Sequence, residues 1–303
     1  MGNREGRSSR RGEKKKGYGN QPTGANPTPI ENVKPLEKSA NRWTPRTVGE
    51  GTKKEATSDD GIPSNEVIIR KVKSLLNKLT LEKFESISNQ IVDFARLSAK
   101  TGNGQILELV IQLIFEKAID EMNFCSIYAL LCQNMMGRLD DVRSDDYKNN
   151  KGEPLAGSQL FRRYLLSRCQ FEFEKGWRLD TEGIDVTDPS FIMSDQYYEL
   201  QKQKRHGLGL VAFVGELYKM GMLSDKVVHG CIIKLLSNFE NPVEEEVESL
   251  CKLMTTCGKQ ISESKVLSLN MDKYFRAIQA LSVNKNLPSR FRCLLLDVID
   301  LRK

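Results

Sequence analysis

Histidine is almost missing from this 303-residue chain: there are two, His206 and His229, against seven cysteines. Neither completes a zinc spacing, and neither stands beside a nucleophile motif, so metal binding and Ser- or Cys-type hydrolysis are both unsupported. The phosphate-cradling pattern G-x-x-x-x-G-K-[ST] does not occur, which removes the usual signature of ATP chemistry. No apolar run approaches the ~20 residues of a membrane span, so no membrane partner is expected. The cysteines (125, 132, 169, 231, 251, 257 and 293) form no tight pairs, and Cys251 and Cys257 are too far apart for a C-x-x-C unit. With no signal-peptide pattern either, they read as buried, reduced thiols of a cytosolic or nuclear protein. No cofactor, metal or catalytic residue is assigned.

Weaker candidate sites dissolve on inspection of their surroundings. Gly207-Leu-Gly209 resembles the start of a dinucleotide fingerprint, yet it follows no strand and lies inside a helical pattern. Close helix packing explains it better. Glu244, Glu245 and Glu246 open a helix, where they favour the macrodipole. Asp140, Asp141, Asp145 and Asp146 lack calcium-loop spacing. A chain without a reaction centre presents a surface, and interaction is the leading functional class.

What is present is divided unevenly. Residues 1–65 hold Gly, Ser, Asn, Pro, Lys and Arg without an apolar run, a mixture expected to stay disordered. The chain has 46 basic and 40 acidic residues, net +6, and the first twenty positions carry seven basic residues against two acidic, a net of +5. Arg4, Arg7, Arg10, Arg11, Lys14, Lys15, Lys16 and Tyr18 suit sequence-tolerant contact with single-stranded RNA through phosphate pairing and stacking. A solvated linker or a localisation signal is the alternative. Within the tail, KSANRWTPRT at 38–47 strands Trp43 among residues that no core can use, so the indole either packs on its own domain or awaits a partner.

From 66 to 303 apolar residues recur every three to four positions, which predicts an all-α domain of nine principal helices after a short lead-in at 67–79. Thr80 is a candidate cap for a stripe of Leu81, Phe84, Ile87, Ile91 and Phe94, and TGNG at 101–104 is its stop. Residues 140–157 and 178–194 read as exposed loops, and no segment alternates as a strand would. Ser194 and Ser224 are expected to cap helices, and Gly258 to end one in a left-handed turn. Consecutive helices joined by alternately short and long connections are the pattern of a HEAT-like solenoid of about five repeats. The last helix is expected to lack a partner, within an incomplete final repeat. A single irregular bundle is the alternative fold.

Several segments then carry a resemblance. KSLLNKLTLEKFESIS at 73–88, SIYALLC at 126–132, FRRYLLSRCQFEFEKGW at 161–177, GLGLVAFVGELYKMGML at 207–223 and LPSRFRCLLLDVIDLR at 287–302 look like successive landmarks of one domain. It is the middle HEAT-repeat domain of eukaryotic translation initiation factor 4 gamma. PLEKSANRWTP at 35–45 resembles a segment that fungal members carry just before the repeats. The resemblance implies a cytoplasmic translation initiation scaffold, not an enzyme. It would bind the DEAD-box RNA helicase initiation factor 4A, hold its two lobes partly closed, stimulate its ATPase, and bind mRNA. It places the stronger anchor at Trp43 with Asn41, Arg42 and Pro45, in a strip at 35–46. A second anchor would lie toward the last repeats, where Arg290 and Arg292 beside Pro288 are the candidates; an ordinary exposed helix start is the plainer reading. Lys202, Lys204 and Arg205 could touch RNA or helicase, although a solvated helix face suffices. No Tyr-x-x-x-x-Leu-Leu motif for the cap-binding protein occurs, and other initiation factors would engage regions absent here. A pure RNA-binding module without a helicase partner is the rival function.

Overall fold

The computed structural model describes residues 62–175, 191 and 194–302. Contacts divide the chain into two units, Met1–Thr52 and Lys53–Lys303, and every described residue belongs to the second. The basic tail, the strip around Trp43 and most of the 178–194 loop lie outside the described residues.

Among the described residues there are ten α-helices: α1 (Asn65–Leu76), α2 (Phe84–Thr101), α3 (Gln105–Asp120), α4 (Cys125–Met136), α5 (Gly157–Lys175), α6 (Asp195–Lys219), α7 (Asp225–Leu235), α8 (Glu244–Glu263), α9 (Met271–Ser282) and α10 (Ser289–Asp300). Each odd-numbered helix packs against the even one that follows it, and α2, α4, α6, α8 and α10 pack in succession, each on the next. That nearest-neighbour stacking is the logic of an all-α, HEAT-like repeat protein and not of a single irregular bundle. α3 is largely buried between Ile106 and Ile119, because it meets α1, α2, α4, α5 and α6. Its Phe115 ring meets Phe213 of α6 edge to face at 5.3 Å. No described helix is long and apolar enough to cross a membrane.

Local chemistry accounts for most boundaries. Ser64 caps α1 by accepting from the Val67 N–H at 3.5 Å, and Ser194 caps α6 by accepting from the Tyr197 N–H at 3.1 Å. Gly102, at φ 69°, stops α2 in the left-handed conformation that glycine adopts without strain. Thr80 does not cap α2: its hydroxyl accepts from Lys83 in a preceding turn, the helix opens at Phe84, and Leu81 is exposed. Ser224 occupies the cap position of α7 without a side-chain bond.

Three further expectations are overturned. α8 continues through Gly258 to Glu263, because Ile261 carries its buried stripe on past the glycine. The last helix is not unpartnered: α10 packs on both α9 and α8. The supposed loop 140–157 contains a hairpin, β1 (Arg143–Lys148) antiparallel to β2 (Pro154–Ala156), with Arg143 opposite Ala156 and Ser144 opposite Leu155. It has no apolar alternation to betray it. Turn bonds at Asn149 hold it, along with Ser144, whose hydroxyl donates to the Asn103 carbonyl at 3.2 Å. Six of the seven cysteines are buried and free, and Cys293 is exposed. Burial alone pushes the Cys132 thiol up to about 12, which keeps it protonated and unreactive.

The closest backbone approach involves α6. A Cβ on Gly209 would fall 2.1 Å from the Ile119 carbonyl oxygen at the end of α3, whereas one on Gly258 would meet nothing within 4 Å. The two glycines therefore predict opposite signs. Gly209→Ala should lose roughly 1–3 kcal/mol to overpacking, or about 2–4 °C in melting temperature for each kcal/mol. Gly258→Ala should raise the melting temperature, since alanine in an open helix position is favoured by ~1 kcal/mol. Thermal melts of both variants check this; a destabilised Gly258→Ala would restore the left-handed stop.

Candidate interaction surface

Among the described residues no group of three or more His, Cys, Asp or Glu side chains is placed to hold a metal ion. The polar cluster at Glu172 is structural in its contacts. The buried carboxylate accepts from Arg168 at 2.8 Å and faces His206 Nε2 at 3.3 Å, joining α5 to α6 without a nucleophile among these partners. At the turn after α3, Glu121 accepts from Lys117 Nζ at 2.6 Å and from the Tyr128 hydroxyl at 2.8 Å. Burial opposes ionisation there, yet these two donors hold the carboxyl below its ordinary range.

Of the expected site residues, only Arg290 and Arg292 fall among those described. Buried Leu287 and then Pro288 lead into α10, so both arginines stand in its first turn. Two residues along a helix are about 200° apart, and the pair diverges accordingly. The Arg290 side chain is 72% exposed, lies over the Phe291 ring and donates to Glu248 of α8 at 3.2 Å. Arg292 is half-buried, with an Nε that is shielded and unpartnered. They form one helix start but not one patch, and Arg290 is the accessible member. The Lys202, Lys204, Arg205 cluster also divides. Lys204 ties α6 to α8 by an ion pair with Glu245 at 2.8 Å, Lys202 faces Glu199 at 3.8 Å, and Arg205 is exposed.

The structure adds residues to this end that the sequence does not single out. The α9–α10 loop bonds to the α7–α8 loop: the Asn284 and Asn286 carboxamides donate to the Phe239 and Glu240 carbonyls at 3.4 and 3.5 Å. On these two bonded loops Phe239 is 42% and Val283 72% exposed. Each is a large apolar residue stranded in an Asn-rich strip, SNFENP and SVNKNLP, the same signal that marks Trp43. Phe239, Val283 and Arg290 are thus three exposed side chains carried by the last two helix pairs.

The MIF4G domain family matches residues 69–303, from within α1 to the last residue. The chain belongs to that family. It is 44% identical over 277 residues to the eukaryotic translation initiation factor 4 gamma of Schizosaccharomyces pombe, an overlap covering 91% of this chain and 20% of that protein. It is 38% identical over 288 residues to the initiation factor 4F subunit p130 of Saccharomyces cerevisiae, covering 91% of this chain and 31% of the other. The chain thus spans a fifth to a third of the length of these fungal relatives. A solved MIF4G domain, that of the Trypanosoma cruzi translation initiation factor EIF4G5, covers 78% of this chain and 94% of its own length at 20% identity and a TM-score of 0.46.

For this MIF4G domain, surface and core residues at the α10 start should separate cleanly. Phe239→Ala, Val283→Ala and Arg290→Ala should each shift the melting temperature by no more than about 4 °C, since exposed side chains and pairs contribute ~1 kcal/mol or less. Leu287→Ala, which removes a buried side chain under the same loop, should cost about 2–5 kcal/mol. Differential scanning calorimetry of the four variants measures both.

Proposed function

We propose that the chain is a cytoplasmic translation initiation scaffold, not an enzyme, that binds the DEAD-box RNA helicase initiation factor 4A, orients its two lobes, stimulates its ATPase cycle and binds mRNA. The observation that carries this reading is the MIF4G match across the whole helical unit, at 69–303. A scaffold of this kind accelerates its partner without touching the chemistry. A two-lobed helicase that samples open and closed forms is biased by any surface that fits one arrangement better, and the differential affinity sets the shift. Two linked anchors suffice, because forming the first raises the effective concentration of the second. The first is Trp43 with Asn41, Arg42 and Pro45. The second is Arg290 and, less directly, Arg292, extended by the exposed Phe239 and Val283. RNA is held by Arg4, Arg7, Arg10, Arg11, Lys14, Lys15, Lys16 and Tyr18, which supply charge and one stacking ring.

The basic tail also favours a second reading, an RNA-binding module with no helicase partner; a helicase titration without RNA separates the two. Calorimetric titration of purified helicase should give an affinity at least about tenfold weaker for Trp43→Ala, since a central aromatic commonly contributes ~2 kcal/mol or more to an interface. Its melting temperature should not change. Unchanged affinity, or a melt several degrees lower, would assign the tryptophan to its own fold.

The RNA arm has its own readout. Deleting residues 4–16 should weaken single-stranded RNA binding and flatten the dependence of log K on log salt by about 0.7 per lost phosphate contact. Equal slopes with and without the segment would remove the tail from the RNA site.

A further inference from the structure

α8 runs between α6 and α10, and along one side of it lies a groove of about 650 Å³. Its walls follow helical spacing. Glu248, Lys252 and Thr255 line it from α8, and Leu294, Asp297 and Leu301 from α10, so it is a trough about 10 Å long, two helical turns, and not a hole into the core. Leu208 of α6 extends the apolar floor, and Lys252 and Asp300 also line the trough. Arg290 engages one oxygen of Glu248 from outside the lining. Burial, and after it the Glu248 and Asp297 carboxylates, pushes the thiol of Cys251, which also lines the trough, up to about 12.

We propose that this trough docks an amphipathic helix of a partner protein, with large apolar side chains on one stripe and Lys or Arg flanking them. Apolar anchors at i, i+3, i+4 and i+7 match a floor two turns long, and flanking cations meet the rim carboxylates. RNA is a poor occupant, because its phosphates would face the Glu248 and Asp297 carboxylates. A second copy of the chain is also disfavoured, since a two-fold contact through this face would set each acidic rim against its own image. The docking is independent of helicase binding, which is assigned to Trp43 and the α10 start.

The test uses the 303-residue chain and a fluorescein-labelled peptide of about 15 residues, long enough to be helical, with a leucine stripe and lysine flanks. A partner peptide keeps the leucines and replaces each lysine with glutamate. Fluorescence anisotropy should show saturable binding of the basic peptide and binding at least about tenfold weaker for the acidic one. Asp297→Lys and Leu301→Ser, both at exposed positions, should each weaken the basic peptide at least about tenfold while leaving the melt and the helicase titration unchanged. Equal affinity for the two peptides, no saturable binding, or indifference to both substitutions would overturn the proposal. So would sedimentation as a dimer that Asp297→Lys dissolves. Because the two peptides are compared on the unaltered chain, the result does not depend on either variant folding.

Discussion

The packing of this protein turns on the crossing of α3 and α6, where Gly209 presses against the Ile119 carbonyl. A side chain there would hold the helices apart and open a void along two of the most buried elements, α3 and the Leu210–Leu217 stretch of α6. The contact also sets the position of the later helices. α6 carries α8 on another side, with Gly215 against Thr256, and α8 in turn carries α10. In a repeat protein each element is positioned only by its neighbours, so the placement of α10 and its arginines is inherited from a glycine about eighty residues earlier in the chain.

The same stacking explains why the functional candidates lie where they do. Helix interiors are consumed by packing on both sides, which leaves loops and the outer stripes of helices for recognition. Between the last two pairs the loops are tied to each other by asparagine side chains. Phe239 and Val283 are thereby held exposed on ordered backbone, and an aromatic that is already held loses little freedom on binding. The acidic trough beside α8 has a different origin. It is the seam left when three helices of unequal side-chain size pack in a row, and Glu248, Asp297 and Asp300 colour it by standing at the edges of their helices' buried stripes.

Helix boundaries are only partly legible in the residues. Ser64, just before an apolar stripe, and Thr80, one turn too early for its own, look alike in a string of letters. What separates them is whether the first turn has a core to face: Val67 and Ile68 do, Leu81 does not. Gly102 and Gly258 raise the same difficulty. Both follow a long stripe, but Gly102 turns left-handed and ends α2, whereas α8 runs through Gly258 to the buried Ile261. The hairpin at 143–156 is invisible to an apolar pattern because its pairing rests on turn bonds and on Ser144, and polar residues leave no periodic trace.

The sequence by itself determined the class of the fold, the run of ten helices and the family, because apolar spacing of three to four is local and the landmark segments are contiguous. Tertiary structure alone decided which cations are accessible and which apolar residues are left out. Arg290 reaches the surface while Arg292 turns inward, Lys204 is spent on Glu245, and Phe239 meets the α9–α10 loop, since each outcome depends on partners about forty residues away in the chain. Burial is a property of the assembled neighbours of a residue, and no local pattern encodes it.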